Sequence, residues 1–202
     1  MRCGMNKMEK KNTLVLLDKD GTIIKDKHYL GRYEGYMDEI ELYPFVVEGI
    51  KLLNTTESKV AVGSNQAGVA REYFDCGRVK KIDREIDRRL GQQGAIIDSW
   101  HFCPYVDFDY AKRKNIILPN RWVAKNPGCR KPNNGMLKEA CGRYGWNLKE
   151  VEMFVIGNAQ SDVQTAENVG GIGYLVDMER HPKEFLEICK EITQKFKGFT
   201  KH

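Results

Sequence analysis

Two carboxylates at the end of the first apolar run are the first residues whose spacing could support chemistry. Asp18 and Asp20 belong to the segment DKDGT (18–22), which directly follows LVLL (14–17). Carboxylates this close repel each other unless a cation separates them or a proton is shared. A hard dication with oxygen ligands resolves the repulsion, and Mg²⁺ with phosphate is the usual combination. One carboxylate could then attack phosphorus, while the other protonates the leaving oxygen.

Polar residues that follow later apolar runs extend this candidate site. Ser64 and Asn65 follow the second run, Asn158 follows the fourth with Asp162 shortly after it, and Lys131 lies between the two clusters. Ser64 and Asn65 offer neutral donors for phosphoryl oxygens, and Lys131 brings a compact positive charge. Gly21 allows a tight turn beneath a bound phosphate. Because ligands of open α/β sheets bind outside the carboxyl ends of the strands, we expect these residues at one rim.

The elements that must position these residues can be read from hydrophobic periodicity. Short apolar runs at 14–17, 60–62, 96–102, 153–156 and 174–176 predict buried parallel strands. Helical patterns alternate with them, starting at Pro44, at 79–90, at Asn133 or Asn134, at Ser161 or Asp162, and at 185–196. The alternation predicts an α/β fold, a doubly wound Rossmann-like open parallel sheet with helices on both faces.

Length and composition limit the organisation of the chain. Its 202 residues, 41% apolar and 30% charged, suit one globular domain. We predict a flexible leader at 1–12 and a single domain at 13–198, with a long basic loop at 104–128. No apolar run is long enough to span a membrane, and 1–12 lacks the apolar core of a secretory signal. We therefore expect a cytoplasmic protein, a monomer or weak dimer with no membrane partner.

The net charge and the cysteines separate several classes of function. The net charge of +5 suits an anionic substrate and does not demand nucleic acid. The six cysteines form no CxxC pair, and without a signal peptide reduced thiols are expected rather than disulfides.

The motifs together resemble those of the haloacid dehalogenase superfamily. LVLLDKDGT, VGSNQAGVAR, CRKP and GNAQSD resemble its four motifs in order. The resemblance implies an HAD-type doubly wound fold and makes Asp18 the nucleophile, Asp20 the general acid/base and Lys131 the catalytic lysine. It places phosphate or substrate on Gly21, Thr22, Ser64, Asn65, Gln66 and Arg130. It places Mg²⁺ on Asp18, Asp20, Asn158 and Asp162.

Within the superfamily the sequence is most similar to the capless heptose-1,7-bisphosphate 7-phosphatases and the related histidinol-phosphate phosphatases. DKDGTI, HYLG, SNQAGVAR and CRKPNNGM carry this likeness, which spans roughly residues 13–176. It implies the absence of a large cap domain. It also implies a small phosphorylated substrate, such as a sugar bisphosphate, with Arg130 suited to a second phosphate or a carboxylate.

The sequence departs from this pattern at two metal sites. Asn158 stands where the fourth motif has an aspartate, so the Mg²⁺ site lacks one negative charge. Of the relatives' zinc-binding cysteines and histidine, only Cys103 and Cys129 remain, and His101 is the one available substitute. Tetrahedral zinc needs four nitrogen or sulfur ligands, so we do not expect structural zinc.

Two other functions compete with a sugar-phosphate phosphatase. A polynucleotide 3′-phosphatase would use the basic 104–128 loop, although that loop lacks a series of aromatic residues for stacking bases. A catalytically weakened protein that only binds a phosphate ligand is suggested by Asn158 and by the reduced zinc motif. Retention of Asp18, Asp20, Ser64, Lys131 and Asp162 argues against it.

Overall fold

The computed structural model describes residues 12–197, and in this range the chain builds one sheet of five parallel strands. The strands are β1 (Asn12–Leu17), β2 (Lys59–Asn65), β3 (Ser99–Cys103), β4 (Val151–Gly157) and β5 (Ile172–Leu175). Their order across the sheet is β3-β2-β1-β4-β5. The chain progresses toward one edge from β1 to β3 and toward the other from β4 to β5. The carboxyl end of β1 therefore lies at the point where the winding reverses, which is where such sheets bind ligands.

Helices cover both faces of the sheet. α1 (Val46–Asn54), α3 (Cys76–Gly91) and α7 (Lys183–Lys197) pack on one face, and α5 (Gly135–Gly142) and α6 (Gln160–Glu167) pack on the other. Because successive strand side chains point to opposite faces, Val15 and Leu17 join the first core while Leu14 and Leu16 join the second. This arrangement confirms the predicted doubly wound fold.

Three predicted element boundaries were wrong. β3 begins at Ser99 rather than Ile96, because the Asn54 side chain donates to the Ile96 carbonyl (3.0 Å) and accepts from its amide (2.9 Å). α1 begins at Val46 rather than Pro44, because Phe45 has a left-handed φ of 67°. α6 begins at Gln160, and the Asp162 carboxylate accepts from the Ala159 amide at 3.0 Å at the helix start.

The 104–128 segment, which the sequence predicted as a long irregular loop, is structured. It contains the short helix α4 (Phe108–Arg113) and a parallel bridge between Val106 and Val123. Val106 and Tyr110 pack against the short helix α2 (Ala67–Ala70), together with partly buried side chains of the segment. We call 104–128 the insert. Its own small core fixes it beside the carboxyl ends of β2 and β3.

The first strand begins one residue before the predicted start of the domain. Residue 12 is the first residue of β1 rather than the last of a leader, and 1–11 lie outside the described residues. Between residues 12 and 197, none of the helices combines the length and the apolar composition that crossing a membrane would require.

Candidate active site

The centre of the candidate site is an ammonium held between two carboxylates. Lys131 Nζ lies 2.5 Å from Asp18 Oδ1 and 2.6 Å from Asp162 Oδ1. It also donates to the carbonyl of Gly63 at 2.7 Å. All three side chains are at least nine-tenths buried. The sequence placed these residues 113 and 31 positions apart on one rim, and the structure brings them into direct contact.

Backbone contacts explain why these side chains meet. Asp18 directly follows β1, and its amide donates to the Ile156 carbonyl of β4 at 2.9 Å. The Lys131 backbone is held by one side chain of β2, because Asn65 Nδ2 donates to the Lys131 carbonyl (3.2 Å) and Asn65 Oδ1 accepts from the Lys131 amide (2.9 Å). Asn65 thus positions Lys131 through both ends of its amide.

Burial and charge crowding control protonation of this centre. Burial raises the pKa of Asp18 to about 7; Lys131 opposes the rise, and the carboxylates of Asp162 and Asp20 add to it. Burial alone would lower the pKa of Lys131, yet Asp18 and Asp162 together raise it above its ordinary value. Lys131 therefore stays charged, while the Asp18 carboxylate needs further positive charge to ionise fully.

Asp20 is held by side chains at the end of β2 and directly after it rather than by the lysine. Its Oδ2 accepts from Ser64 Oγ at 3.1 Å and from Gln66 Nε2 at 2.7 Å. Gln66 Nε2 also donates to Ser64 Oγ at 2.6 Å. The predicted phosphate-binding residues Ser64 and Gln66 therefore orient the carboxylate that would transfer protons.

A cavity of about 230 Å³ opens above these groups. Its walls include most of the candidate residues: Asp18, Asp20, Ser64, Asn65, Lys131, Asn158 and Asp162. Other predicted site residues lie elsewhere. Gly21 lines a neighbouring cavity, Thr22 is fully buried with its hydroxyl unpaired among the described residues, and Gln66 and Arg130 are absent from the walls of the 230 Å³ cavity.

The predicted Mg²⁺ ligands fall into two groups. The free carboxylate oxygen of Asp18, the main-chain carbonyl of Asp20 and the amide oxygen of Asn158 are oxygen donors of the kind that Mg²⁺ prefers. Asn158 reaches the cavity across Gly21, where an added Cβ would lie 2.1 Å from Asn158 Nδ2 and φ is +86°. Asp162 uses one oxygen for Lys131 and the other for the Ala159 amide, so its role as a metal ligand stays a prediction.

The donor set therefore fits a hard dication in this cavity. The site combines anionic and neutral oxygens with the Asp18 carboxyl, whose pKa is raised by burial first and then by the neighbouring carboxylates of Asp162 and Asp20. A bound dication would relieve that crowding, as it does for carboxylates generally.

Arg130 belongs to a separate cluster formed with the insert. Its Nη1 donates to the Tyr105 carbonyl at 3.2 Å, and its guanidinium lies 5.1 Å from the Tyr110 ring. Arg71, from the second motif, lies 5.5 Å from the same ring, and its Nε donates to the Tyr110 hydroxyl at 2.9 Å. Two guanidinium groups thus share one ring, with the nearest carboxylate oxygen, from Asp107, at 3.9 Å from Arg130.

The candidate zinc residues are engaged in other contacts. Cys103 and Cys129 form a disulfide, so the expectation of reduced thiols was wrong for this pair. The buried His101 ring lies 3.2 Å from Glu139 through Nδ1 and 3.0 Å from Ser99 through Nε2. Within residues 12–197, no three or more His, Cys, Asp or Glu side chains are grouped so that they could hold a metal ion.

Two features of the site were missed by sequence reasoning. Asp26 lines the cavity beside Asn158, although it lies outside every motif that was singled out. Lys19, in the middle of DKDGT, is buried and pairs with Asp83 of α3 at 2.9 Å. Charge alone could not reveal either role.

Comparison with known proteins places the chain in a family. The HAD-hydrolase-like family model matches residues 128–194. D-glycero-beta-D-manno-heptose-1,7-bisphosphate 7-phosphatase of Rhodopseudomonas palustris is 30% identical over 163 residues, covering 81% of this chain and 82% of the relative. The protein of the same name from Neisseria meningitidis serogroup A is 29% identical, covering 81% of this chain and 76% of its own.

Solved structures share the fold. A putative HAD-like phosphatase from Mesorhizobium loti is 26% identical with a TM-score of 0.75, covering 96% of this chain and 91% of its own. D,D-heptose 1,7-bisphosphate phosphatase from B. bronchiseptica has a TM-score of 0.68 at 23% identity, covering 91% of this chain and 99% of its own. With Asp18 and Lys131 in contact at the switch point of the sheet, the chain belongs to the haloacid dehalogenase superfamily and is a phosphatase of the same group as these relatives.

Proposed function

We propose that this phosphatase is Mg²⁺-dependent and hydrolyses a small phosphorylated metabolite, in particular a heptose bisphosphate or a similar sugar bisphosphate, through a phospho-aspartyl intermediate. The observation that carries the proposal is the contact of Asp18 with Lys131 beside Asp20 in one cavity. The relatives named as heptose-1,7-bisphosphate 7-phosphatases support the substrate class. The B. bronchiseptica enzyme of that name, described as a complex with magnesium and phosphate, supports the metal.

In the first step Asp18 attacks phosphorus. Its Oδ1 accepts from Lys131, which orients the carboxylate whose oxygen forms the acyl phosphate. Asp20, oriented by Ser64 and Gln66, gives its proton to the departing alcohol oxygen. Lys131 remains charged and offsets the negative charge that Asp18 and the phosphoryl group bring together.

In the second step water hydrolyses the acyl phosphate. Asp20, now a carboxylate, takes the proton from that water, which restores the starting state of both carboxyl groups. Mg²⁺, held by Asp18, the Asp20 carbonyl and Asn158, would supply positive charge to the phosphoryl oxygens in both steps. Asn158 brings no charge to this site, so substrate phosphate would have to contribute part of the negative charge that holds the metal.

A panel of phosphate esters with Mg²⁺ tests the proposed substrate class. It contains heptose 1,7-bisphosphate, histidinol phosphate and a 3′-phosphorylated oligonucleotide. We expect the highest kcat/KM with the heptose bisphosphate. A preference for the oligonucleotide that falls steeply with salt would instead identify a polynucleotide 3′-phosphatase.

Chemical trapping tests the intermediate. Borohydride added during turnover should convert a phosphorylated Asp18 to homoserine, which mass spectrometry of the peptide would detect. Turnover without any modification of Asp18 would contradict the covalent mechanism. The absence of turnover with every ester would favour a protein that only binds a phosphate ligand.

A further inference from the structure

The disulfide lies at the base of the insert. Cys103 is the last residue of β3, and Cys129 follows the insert directly. The two cysteines are 26 positions apart in the sequence, and their Cα atoms are 5.3 Å apart. The bond therefore joins the two points where the insert leaves the sheet and returns to the catalytic segment. No other covalent link in the described residues closes this segment.

Both cysteines adjoin groups of the candidate site. The Cys103 carbonyl accepts from the Gln66 amide at 2.8 Å, in the turn that orients Asp20. Cys129 is followed by Arg130 and Lys131. A change in the bonding of the sulfur atoms can therefore alter the position of the backbone next to Gln66 and next to Arg130.

The two basic residues after Cys129 depend on the insert to different degrees. Lys131 is held by Asn65 through its backbone, and by Asp18, Asp162 and Gly63 through its ammonium. None of these partners belongs to the insert. Opening the disulfide would therefore leave the catalytic lysine in place.

For Arg130, in contrast, the hydrogen-bond, ion-pair and ring partners of the side chain within residues 12–197 lie in the insert. These are the Tyr105 carbonyl at 3.2 Å, the Asp107 carboxylate at 3.9 Å and the Tyr110 ring at 5.1 Å. The disulfide fixes where the insert begins relative to Arg130, because Tyr105 is only two residues beyond Cys103. The position of Arg130 therefore depends on the bond between Cys103 and Cys129.

We propose that Cys103 and Cys129 form a reversible redox site that controls how Arg130 meets a second anionic group of the substrate. The disulfide holds the insert closed over Arg130, and reduction releases the base of the insert while the catalytic centre stays assembled. The kinetic part of this inference rests on the proposed function, since it requires a substrate with a second phosphate or carboxylate.

The redox step is an ordinary exchange with a dithiol reductant. A thiolate of the reductant attacks one sulfur and forms a mixed disulfide, and the other cysteine leaves as a thiolate that takes up a proton. The second thiol of the reductant then displaces the remaining cysteine, which also ends as a thiol. The reductant leaves as a disulfide, and a disulfide oxidant reverses both steps.

Thiol mapping tests the site independently of turnover. Protein treated with a disulfide oxidant is alkylated without reduction, digested and analysed by mass spectrometry, and the same is done after treatment with dithiothreitol. We expect linked Cys103 and Cys129 peptides in the oxidised sample and two alkylated thiols in the reduced one. Two alkylated thiols in both samples, or one stoichiometric zinc ion bound by the reduced pair, would overturn the proposal.

Kinetics of the two redox states test the control of Arg130. With heptose 1,7-bisphosphate we expect reduction to raise KM roughly tenfold, the loss of about one charge-assisted hydrogen bond, with kcat little changed. With p-nitrophenyl phosphate, which has no second anion, KM should be the same in both states. Equal KM values for the bisphosphate in both states would overturn the control of Arg130.

Variants separate this effect from other cysteines and from the proposed function. Cys103→Ser and Cys129→Ser should show the KM of the reduced protein under both conditions. Cys76→Ser removes a free thiol on α3 and should keep the full redox response. Absence of turnover with either ester in either state would refute the proposed function instead, and thiol mapping alone would then decide whether the redox site exists.

Discussion

The candidate catalytic cavity and the insert surround their positively charged side chains with different partners. In the cavity, Lys131 is buried and contacts two carboxylate oxygens at 2.5 and 2.6 Å. Beside the insert, Arg71 and Arg130 rest against the Tyr110 ring at 5.5 and 5.1 Å. There Arg71 has no ion-pair partner within residues 12–197, and the nearest carboxylate oxygen to Arg130 is 3.9 Å away.

This difference suggests that the cavity carries out the reaction and that the arginines beside the insert select the substrate. Removing one member of a buried charge pair leaves an uncompensated charge in a low-dielectric space, which is strongly destabilising. A cation on an aromatic ring at a partly exposed site contributes only about 0.5–1 kcal/mol. The cavity therefore tolerates little change, while Arg71 and Arg130, hydrogen-bonded to neutral groups, keep a positive charge that can attract an anion. We expect changes in the cavity to act on kcat and changes beside the insert to act on KM.

The largest effect should come from the nucleophile. Asp18→Asn should abolish turnover of every substrate, because an amide cannot form the acyl phosphate. The fold should persist, because Lys131 keeps its ion pair with Asp162. Steady-state assays with circular dichroism would check both statements. Asp109→Asn, an exposed change of the same type in the insert, is the matched control and should behave as wild type. Activity of Asp18→Asn near the wild-type level would refute the mechanism.

The next effect concerns the proton-transfer group. Asp20→Asn should lower kcat by roughly 10²–10⁴, the usual range for loss of a general acid/base, because both steps need a proton at this position. The same assays with a bisphosphate and an aryl phosphate would measure it. With the aryl phosphate, Asp20→Asn should slow the first step much less, because the aryl leaving group needs little protonation. An unchanged kcat with the bisphosphate would place the general acid elsewhere.

An intermediate effect should distinguish the insert from the cavity. Arg130→Met should raise KM for a bisphosphate roughly tenfold, as for loss of one charge-assisted hydrogen bond, and leave kcat nearly unchanged. Arg71→Met should act in the same direction, and the double variant should be non-additive because both guanidinium groups contact Tyr110.

Arg121→Met is the control for this pair of variants. Arg121 lies in the same insert, is exposed and pairs with Glu72. Its replacement should leave KM unchanged. If Arg130→Met instead lowered kcat with both mono- and bisphosphates, the separation between chemistry and selection would be wrong.

A smaller effect is expected at the metal site. Asn158→Asp should tighten Mg²⁺ binding in the absence of substrate, because hard cations favour anionic oxygen. Wild-type protein should bind Mg²⁺ more tightly with a phosphate analogue present, and phosphate more tightly with Mg²⁺, by the same factor. Calorimetric titrations of both proteins measure this. The rate need not rise, since tighter ground-state binding is not transition-state binding.

Asn147→Asp, at the opposite end of β4, is the control for the metal titration. It should leave Mg²⁺ affinity unchanged. Equal Mg²⁺ affinity of wild type and Asn158→Asp would show that this side chain is not a metal ligand. The match of GNAQSD to the fourth motif would then be wrong, and Asp162 would have to hold the metal.

The smallest effect is a pH dependence of stability without metal. The pKa of Asp18 is raised from 3.8 to about 7, so the folded protein binds a proton that the unfolded chain has lost in this interval. The stabilising contribution of the proton is therefore fully present below about pH 4 and is lost as pH rises through 7. In the presence of a chelator, the melting temperature should fall as the pH rises from about 4 to above 7, and it should fall more for wild type than for Asp18→Asn. Parallel curves would refute the raised pKa.

The sequence predicted which polar residues meet at one edge of the sheet, because the signals that place them are local. DKDGT directly after four apolar residues predicts acids at the end of a buried strand, and parallel strands end at one edge. The same reasoning placed Ser64, Asn65 and Asp162 at that edge, where the structure has them. Periodicity failed at Ile96, whose backbone pairs with the Asn54 side chain, and at the insert, whose short apolar clusters carry no regular period.

The sequence by itself determined the fold class, the strand ends and the types of groups that meet there. The tertiary structure alone decided the pairings: Lys131 between Asp18 and Asp162, Lys19 with Asp83, Asp26 beside Asn158, and Cys103 with Cys129. The physical reason is range. Helical and strand periods reflect contacts over a few residues. These pairs join residues 26 to 132 positions apart, and they form only when the strands assemble into the sheet.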